Sequence, residues 1–550
     1  MHVQEPFKTQ VQTVSPLLLL DAQCQAGRSD AIAVRWLGAP GQCRDLTYGQ
    51  MLDYSARCAA LLRQLGLKPG QTVAVMTGRR PETLVAALGI WRAGGVYCPL
   101  FADLGPDPLL ARLTLGQARI LLVGGEAYGR AVAAIRGSLP QLAHVLVLGD
   151  EIPADCLDLR TALASASPSA EMSPADLATA AMMHFTSGTT APLAGGSAQP
   201  KAVIHDARVV ELMVSTARAA FGLAAGEMLW CTAEPGWIPH TAYGLVAPLA
   251  TGATILLDAA PTTPMRCLSV LEDEPVAIWY TGATVIRNLI GGGAAPARSF
   301  HPRALRLAAT VGEPLSADAV EWGQKVLGVP FRDTWWQTEI AGIAMVHDLG
   351  QRPLPGSMGK PLKGLCVALV RRDGSCLSFC ADTGEATGEL ALRIDSLPPW
   401  RSLGGESSAP PQAVDGWHLT GDLVRRDGDG YYWFLGRIDD LINSGGRRIG
   451  PFEVEAVLMS HPAVGQAGVV GVPDPRLNEK IVAFVVVNPG FDPGDALRAE
   501  LHAFAREHLG KPLSPQEIRF ERRLPSTATG KIIRHRLRAL YLADAAGLNP

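Results

Sequence analysis

The fold class of this chain is decided by the stretch Thr72–Leu100, which reads TVAVMTGRRPETLVAALGIWRAGGVYCPL. Thr72–Met76 is a short apolar run typical of a buried strand, and Glu82–Ala93 has the spacing of an amphipathic helix. Val96–Leu100 is a second strand-like run. A strand, a helix and a further strand in this order predict a parallel βαβ unit and therefore an α/β fold.

The same alternation continues further along the chain. A helical stretch and three strand-like runs follow at Leu109–Leu115, Ile120–Val123, His144–Leu148 and Ala181–Phe185. Two segments interrupt the pattern. Ala162–Pro174 is rich in Ser, Ala and Pro, and Ser396–Pro411 is rich in Pro, Ser and Gly. Both compositions predict surface loops.

The character of the sequence changes after Arg437, where the glycine content and the charge density rise. The compact remainder has strand-like runs at Ala467–Val472 and Ile481–Val487 and a helical pattern over Pro493–His508. A chain of 550 residues is also too long for one compact core. We therefore predict a large N-terminal domain of residues 1–438 and a small, mobile α+β C-terminal domain of residues 439–550.

The overall composition narrows the class of function. Apolar residues make up 47% of the chain and charged residues 18%, with a formal net charge of −3, which is typical of a globular protein and argues against binding to nucleic acid or anionic membranes. The ten cysteines have no CxxC spacing, so a structural zinc site is not expected. The N-terminus has no signal-peptide pattern, and no apolar run approaches the roughly 18 residues of a membrane span, so we expect a soluble cytoplasmic protein.

The first segment that indicates chemistry is Phe185–Lys201, which reads FTSGTTAPLAGGSAQPK. A buried strand passes into a loop dense in Gly, Ser and Thr that ends on a lysine. Such a loop offers backbone N–H groups, hydroxyls and one cation to a polyphosphate. The pattern differs from the P-loop motif, and by itself it is equally compatible with a surface loop.

Two further segments carry aromatic and acidic side chains. Asp333–Glu339 reads DTWWQTE, and one of its adjacent tryptophans is expected to line a pocket. Glu339 offers the oxygen ligand that Mg²⁺ prefers, although a lone glutamate is more often a solvated acid at the end of a strand. Trp417–Asp422 reads WHLTGD, in which Asp422 follows a tight turn and is able to accept both hydroxyls of a ribose.

The last two segments lie near the C-terminus. Gly436–Glu455, GRIDDLINSGGRRIGPFEVE, has arginines beside glycine-rich backbone, which suits charge-assisted contacts to phosphate. Leu524–Arg534, LPSTATGKIIR, presents Lys531 after a glycine turn. Taken singly, both segments are also compatible with ordinary turns and salt bridges.

Together, and in this order, the five segments resemble the acyl-adenylate-forming superfamily of acyl-CoA synthetases, luciferases and peptide-synthetase adenylation domains. The resemblance extends from about Leu46 to Leu540. Trp230–Thr254, Thr310–Leu315 (TVGEPL) and DTWWQTE are most similar to the subgroup of acetyl-CoA synthetase and its short-chain relatives.

This resemblance implies an enzyme that uses ATP and Mg²⁺ to convert a small carboxylic acid, acetate or propionate, into an acyl-AMP and then transfers the acyl group to coenzyme A. Two alternatives remain open at this point. The chain could be an adenylating enzyme with a different acid or with a carrier protein as the acyl acceptor, or it could be a catalytically silent nucleotide-binding homologue.

The resemblance also assigns roles to individual residues. Catalytic roles are implied for Lys531, Lys201, Thr338, Glu339 and Arg448. Among these, Glu339 is the implied Mg²⁺ ligand. Nucleotide contacts are implied for Thr186, Ser187, Gly188, Thr189, Thr190, Gly312, Glu313, Pro314, Asp333, Thr334, Trp335, Asp422 and Arg437. The CoA-binding positions are Gly282, Gly445, Gly446, Arg447 and Arg506, and Asp439 matches a hinge between the two domains.

The acyl pocket implied by the resemblance is small. Its walls match Trp237, Ile238, Pro239, Val311 and Trp336. Medium-chain relatives have glycine where this chain has Trp336, so the indole is expected to close the pocket after two or three carbons. The chain also departs from the family pattern. Nine residues, Ala191–Gln199, stand in the phosphate loop where the family has two, and Gly445 replaces a serine.

Overall fold

The computed structural model describes residues 19–168, 178–186, 200–291, 300–315, 317–373, 376–404, 413–445, 447–527 and 531–545. Within these ranges the chain forms four sheets covered by helices. The α-helices are Leu19–Gln25, Tyr48–Gln64, Pro81–Arg92, Pro106–Leu115, Gly125–Ala127, Ala133–Ile135, Leu159–Ser165, Val209–Phe221, Ile238–Thr241, Ala247–Thr251, Pro264–Asp273, Ala283–Gly291, Ala317–Leu327, Pro451–Met459, Asp495–Leu509 and Arg534–Ala545. None of these described helices has the length and the apolar content that crossing a membrane requires.

Local sequence explains where several helices begin. Helix Tyr48–Gln64 starts with a capping box, in which the Thr47 hydroxyl accepts from the Gln50 N–H and the Gln50 side chain accepts from the Thr47 N–H. Helix Pro81–Arg92 has proline in its first turn, where no intrahelical N–H bond is required. All of its residues except Glu82 are buried, so its apolar side chains pack on every side of the helix.

The first sheet has a parallel centre, as the βαβ pattern predicts. Thr72–Met76 pairs in parallel with Val96–Pro99 on one side and with Ile120–Gly124 on the other. The bounds of these strands differ from the predicted ones by no more than one residue. The strands of this sheet lie in the order Trp400–Leu403, Lys201–Asp206, Ala180–Thr186, Val96–Pro99, Thr72–Met76, Ile120–Gly124, His144–Leu148 and Leu157–Asp158.

The second sheet is also parallel at its centre. Its described strands lie in the order Lys360–Pro361, Met345–Val346, Phe331–Trp335, Leu307–Val311, Val276–Gly282, Met228–Cys231, Thr254–Asp258, Ile32–Leu37 and Cys43–Thr47. Val276–Gly282, Leu307–Val311 and Phe331–Trp335 run side by side in parallel, so their carboxyl ends lie at the same edge of the sheet. Because ligands bind outside the carboxyl ends of parallel strands, this edge is where a site is expected.

The third sheet is antiparallel and joins the second sheet to the C-terminal part of the chain. Its described strands lie in the order Cys376–Phe379, Val367–Asp373, Ala386–Arg393, Trp417–Arg426 and Ala413–Val414, with Tyr432–Arg437 paired to Trp417–Arg426. The hairpin formed by Trp417–Arg426 and Tyr432–Arg437 places Asp422 opposite Arg437. Two of the predicted segments, Trp417–Asp422 and Gly436–Glu455, therefore meet directly across one strand pair.

The fourth sheet belongs to a small C-terminal domain with its own core. Its described strands lie in the order Arg447–Ile449, Ile442–Ser444, Asn478–Val487 and Val464–Asp474, with Glu517–Phe520 beside Asn478–Val487. Val454, Ile481 and Leu501 are among the residues buried between this sheet and its helices. The predicted class, a large α/β N-terminal domain and a small α+β C-terminal domain, is confirmed.

Both predicted loops contain regular structure, so these two predictions are partly wrong. Ala162–Ser165 forms the end of helix Leu159–Ser165, because Asp158 caps the helix by accepting from the Arg160 N–H. Trp400–Leu403, inside the second predicted loop, pairs antiparallel with Lys201–Asp206 at the edge of the first sheet. Composition alone does not reveal an open sheet edge that a distant segment can cover.

Candidate active site

A cavity of about 730 Å³ lies at the carboxyl ends of the second-sheet strands, beneath the C-terminal domain. The predicted residues that line it are Thr186, Lys201, Trp237, Ile238, Pro239, Val311, Gly312, Glu313, Pro314, Asp333, Thr334, Trp335, Trp336, Thr338, Glu339, Asp422, Arg437, Asp439 and Lys531. These positions come from both domains and span most of the chain. The fold therefore brings the separate sequence motifs to one place.

One part of the cavity lining carries a partly buried ion pair. Lys201 Nζ donates to Glu339 Oε1 at 3.0 Å, and Lys201 is held by its strand pairing with Thr186. Burial disfavours the charged form of Glu339, but the ammonium of Lys201 and further hydrogen bonds hold the pKa of this carboxyl below its usual range. Glu339 is consequently a carboxylate at neutral pH, with oxygen atoms available to a cation.

The backbone beside Glu339 is fixed by a histidine, which the sequence places near the site as a local hydrogen-bonding or packing residue. His205 Nε2 donates to the Thr338 carbonyl oxygen at 2.8 Å. Burial lowers the pKa of His205 to about 4, so the imidazole is neutral and donates from Nε2. The turn that presents Thr338 and Glu339 is therefore held from behind by a buried hydrogen bond.

The carboxylate of Asp422 is the centre of a second group of contacts. Its Oδ2 accepts from Trp335 Nε1 at 3.0 Å and from Gln337 Nε2 at 3.1 Å, and its Oδ1 accepts from Arg437 Nη1 at 3.0 Å. Burial raises the pKa of Asp422, although the guanidinium of Arg437 opposes this effect. Arg437 Nε also donates to Asp439 at 3.1 Å, which connects this group to the predicted hinge.

The loop after strand Leu307–Val311 is held by Asp333. Asp333 Oδ1 accepts from the Thr310 hydroxyl at 3.1 Å, and Oδ2 accepts from the Leu315 N–H at 3.2 Å. Burial raises the pKa of Asp333 to about 7. These hydrogen bonds go to protein groups, so Asp333 fixes the shape of the loop that carries Gly312.

Glu313, on the same loop, forms an ion pair with Arg287. Arg287 also donates to the Thr284 hydroxyl at 2.9 Å, and both residues line the cavity. The sequence patterns assigned no role to either. Glu313 is also one of the carboxylates that act electrostatically on Lys531.

A different part of the cavity lining is apolar. Trp336 forms a wall together with Trp237, Ile238, Pro239 and Val311. The indole N–H of Trp336 donates to the Tyr280 hydroxyl at 3.0 Å, and the ring lies edge-on to Tyr243, with centroids 5.5 Å apart. The chemical character of the cavity thus changes from ionic at Lys201 to aromatic at Trp336.

Lys531 reaches the cavity from the C-terminal domain. Its backbone is hydrogen-bonded to Thr527, since the Thr527 N–H donates to the Lys531 carbonyl at 2.8 Å and the Lys531 N–H donates to the Thr527 hydroxyl at 3.1 Å. Burial lowers the pKa of Lys531, and the carboxylates of Glu313, Asp422 and Glu339 counteract this effect. The lysine faces three carboxylates, whose charges favour its ammonium form and partly offset the effect of burial.

Comparison with known proteins identifies the family to which this chain belongs. A family model described as "AMP-binding enzyme" matches residues 20–397, and one described as "AMP-binding enzyme C-terminal domain" matches residues 453–531. The chain belongs to the AMP-binding enzyme family. The resemblance drawn from the five sequence segments is thereby confirmed.

Two acetyl-coenzyme A synthetases are similar to this AMP-binding enzyme along most of their length. The enzyme of Bacillus subtilis (strain 168) is 32% identical over 537 residues, which cover 96% of this chain and 90% of that protein. The enzyme of Bradyrhizobium diazoefficiens is 34% identical over 547 residues, which cover 93% of this chain and 82% of that protein.

The chain is also similar to solved structures of CoA ligases that are named for aromatic acids. The anthranilate CoA ligase AuaEII in complex with anthranoyl-AMP has a TM-score of 0.88 and 26% identity, covering 98% of this chain and 99% of that one. The benzoate CoA ligase from Burkholderia xenovorans LB400 has a TM-score of 0.82 and 26% identity, covering 96% and 100%.

Some residues assigned by the resemblance do not line the cavity of this AMP-binding enzyme. Gly282 ends its strand outside the cavity lining, and Arg506 is exposed on helix Asp495–Leu509. Gly445 lies in a turn with φ of 56°, where its N–H donates to the Leu477 carbonyl at 2.8 Å, and Arg447 begins the next strand. Gly445, Arg447 and Arg506 are thus absent from the lining of the cavity that holds Lys531, whereas a Cβ atom at Gly282 would lie 3.8 Å from the cavity-lining indole of Trp237.

Several predictions fall outside the part of the chain that the structure describes. These are the loop residues Ser187, Gly188, Thr189 and Thr190, the segment Ala191–Gln199, Gly446 and the side chain of Arg448. Their roles stay predictions.

Gln337 and Arg534 make contacts near the site that the sequence motifs did not predict. Gln337 bonds both Asp422 and the Thr420 carbonyl, at 3.1 and 2.9 Å. Arg534, three residues after Lys531, contacts Glu455 at 2.7 Å and Asp440 at 3.2 Å. Both residues lie inside motifs quoted above. Each is a polar side chain to which the motif gave no role, and this was the feature of the sequence that could have pointed to them.

Proposed function

We propose that this AMP-binding enzyme is a short-chain acyl-CoA synthetase that uses ATP to convert acetate or propionate into acyl-AMP and then transfers the acyl group to coenzyme A. One observation carries the proposal above the others. The ammonium of Lys531 and the indole of Trp336 line the same cavity, one from each domain. The acetyl-coenzyme A synthetases that resemble the chain support the choice of acid.

In the proposed first step, a carboxylate oxygen of the acid attacks the α-phosphorus of ATP. The new bond is a mixed anhydride, and the bond from the α-phosphorus to the bridging oxygen breaks to release pyrophosphate. Two anions must approach each other in this step, so nearby cations lower the barrier. Lys531 is proposed to lie between the carboxylate and the α-phosphate, with Lys201 beside the departing phosphates. Thr338 and Arg448 are proposed as further phosphate contacts.

The residues at the ionic end of the cavity fit a magnesium ion. Glu339 is held as a carboxylate, and carboxylate oxygens are preferred Mg²⁺ ligands. Glu339 would hold the ion beside the phosphates, and Lys201 would then leave Glu339 for a phosphate oxygen. Bound there, Mg²⁺ supplies charge neutralisation to the polyphosphate.

The nucleoside part of ATP is proposed to occupy the rest of the cavity. Asp422, held by Trp335, Gln337 and Arg437, would accept the ribose hydroxyls. Gly312, Glu313 and Pro314 would contact the adenine, on the loop that Asp333 supports.

For the second step, we propose that the C-terminal domain, from the boundary at Asp439, rotates about this residue and withdraws Lys531. The CoA sulfur then attacks the acyl carbonyl carbon, a thioester forms and AMP leaves. Gly445, Gly446 and Arg447 would approach the pantetheine, and Arg506 would meet the 3′-phosphate. Of these, Gly445, Arg447 and Arg506 do not line the cavity, which supports a two-conformation cycle of the kind common in enzymes that catalyse two steps.

The proposal predicts a preference for short acids, which a panel of C2 to C6 acids tests directly. Initial rates of acyl-CoA formation should be highest for acetate or propionate. Trp336→Gly should shift the preference towards longer acids, because the indole no longer closes the apolar end. The matched control is Trp433→Gly, since Trp433 is a tryptophan outside the cavity lining.

Three outcomes contradict the proposal at different points. A wild-type preference for C6 acids together with no gain in Trp336→Gly rejects the pocket argument. Acid-dependent ATP–pyrophosphate exchange without acyl-CoA formation points to another acyl acceptor. No exchange with any acid rejects catalysis of the first step.

A further inference from the structure

The wall of the acyl pocket is supported by a residue that does not touch the pocket. Tyr280 is fully buried at the middle of the second sheet and is absent from the cavity lining. Its hydroxyl nevertheless accepts the indole N–H of Trp336 at 3.0 Å. Any motion of that indole into or out of the cavity has to break this bond.

The direction of the hydrogen bonds around Tyr280 is fixed by chemistry. An indole N–H is only a donor and a backbone carbonyl is only an acceptor. Trp336 donates to Tyr280, and at the other end the Thr334 hydroxyl donates to the Thr310 carbonyl at 2.6 Å. The Tyr280 hydroxyl, 2.9 Å from the Thr334 oxygen, must therefore donate to Thr334. The result is one ordered chain from Trp336 through Tyr280 and Thr334 to Thr310.

The ring of Tyr280 has little freedom to follow a moving indole. It packs against Phe221 with centroids 5.1 Å apart and against Tyr243 edge-on at 5.3 Å. Tyr243 also touches the indole, but its hydroxyl is used elsewhere, since it accepts from the Ile343 N–H at 2.7 Å and lies 2.9 Å from the Thr216 hydroxyl. Two buried tyrosines thus contact Trp336, and only one of them hydrogen-bonds it.

We infer that Tyr280 is a positioning residue for acyl-chain length: its hydroxyl holds the Trp336 indole across the end of the pocket and so excludes longer acids. This inference rests on the proposed function. The chain of bonds ends on strand Leu307–Val311, which also supplies the wall residue Val311, so both parts of the pocket share one support.

The test compares two matched substitutions, Tyr280→Phe and Tyr243→Phe, each of which removes one buried hydroxyl. The measured quantity is the ratio of kcat/KM for acetate to kcat/KM for butyrate, at saturating ATP and CoA. Loss of one hydrogen bond should lower this ratio roughly five- to tenfold in Tyr280→Phe. Tyr243→Phe should keep a ratio close to that of the wild type. A folded, active Tyr280→Phe whose ratio equals that of Tyr243→Phe overturns the inference.

A second pair of variants covers the case in which Tyr280→Phe does not fold. Thr334→Val removes the acceptor of the Tyr280 hydroxyl, and Thr334→Ser keeps it. The acetate-to-butyrate ratio should fall in the valine variant and be restored in the serine variant, and equal ratios in both overturn the inference. Because the wild type is measured with the same acids, absence of wild-type acyl-CoA formation identifies a failure of the proposed function instead.

Discussion

Three buried histidines lie behind the walls of the cavity. Burial lowers the pKa of His184 to about 3 and the pKa values of His205 and His240 to about 4. His184 Nε2 lies 2.9 Å from the Thr241 hydroxyl, and His240 Nδ1 donates to the Ala233 carbonyl at 3.1 Å. Each ring has a local hydrogen-bonding role, and each resists protonation because a charge would be placed in an apolar interior.

This environment predicts that the free energy of unfolding falls as the pH falls below 6.5. Between the folded pKa and the ordinary value of 6.5, the unfolded chain binds a proton that folded His184 does not. The stabilisation is fully present above 6.5 and is lost as the pH decreases, by about 1.4 kcal/mol per histidine at one pH unit below 6.5.

Urea unfolding at about pH 7.5 and about pH 5.5 measures this loss. His184→Gln should lose less free energy between the two pH values than the wild type, and exposed His301→Gln should lose as much as the wild type. Only these differences are compared, since other groups titrate in the same range. An identical loss in all three proteins contradicts the prediction.

At the residue scale, the sequence predicts the charged groups and misses their partners. Lys201, Glu339 and Lys531 stand in recognisable motifs, and all three line the cavity. The contacts that hold these groups in place are harder to predict than the motifs, because they join residues that are distant in the chain. Tyr280 and Trp336 are 56 positions apart, and a pattern within one segment carries no information about such a pair.

At the scale of elements, the turn after strand Leu307–Val311 requires glycine. Gly312 has φ of +98°, a conformation that side chains rarely adopt. A Cβ atom there would also lie 2.7 Å from the indole of Trp237. The loop and the acyl wall therefore pack against each other at this glycine.

Gly312→Ala should displace either the loop or the indole. The KM for ATP in ATP–pyrophosphate exchange is expected to rise about tenfold, because strain and the close contact together should weaken ATP binding by about 1.4 kcal/mol. Gly328→Ala is the matched control. Gly328 also has a positive φ, +76°, but nothing lies within 4 Å of its added Cβ. If Gly312→Ala and Gly328→Ala have the same KM for ATP, the close contact with Trp237 does not affect ATP binding, and the prediction is wrong.

Periodicity predicts the central elements well because their burial is regular. Strand Thr72–Met76 is buried at every position and was predicted with the observed bounds. Strand Trp400–Leu403 was missed, because its four residues have no periodic pattern and exist as a strand only through pairing with Lys201–Asp206. Short edge strands depend on the tertiary structure more than on their own sequence.

At the scale of the whole molecule, the C-terminal domain completes the site. Arg534 contacts Glu455 and Asp440, so the segment that carries Lys531 is tied to the residue next to the predicted hinge. The sequence predicts both domains from the change in composition. It does not predict which surface of the small domain faces the cavity, since that depends on contacts between the domains.

The central claim is that Lys531 serves the first chemical step and leaves before the second. The most direct measurement separates the two half-reactions in Lys531→Ala, with Lys511→Ala, an exposed lysine of the same domain, as the control. Pyrophosphate release with ATP and acetate should fall about a hundredfold or more in Lys531→Ala, whereas transfer from supplied acetyl-AMP to CoA should stay within a few fold of the wild type. Equal losses in both half-reactions, or an unchanged first step, would contradict the account.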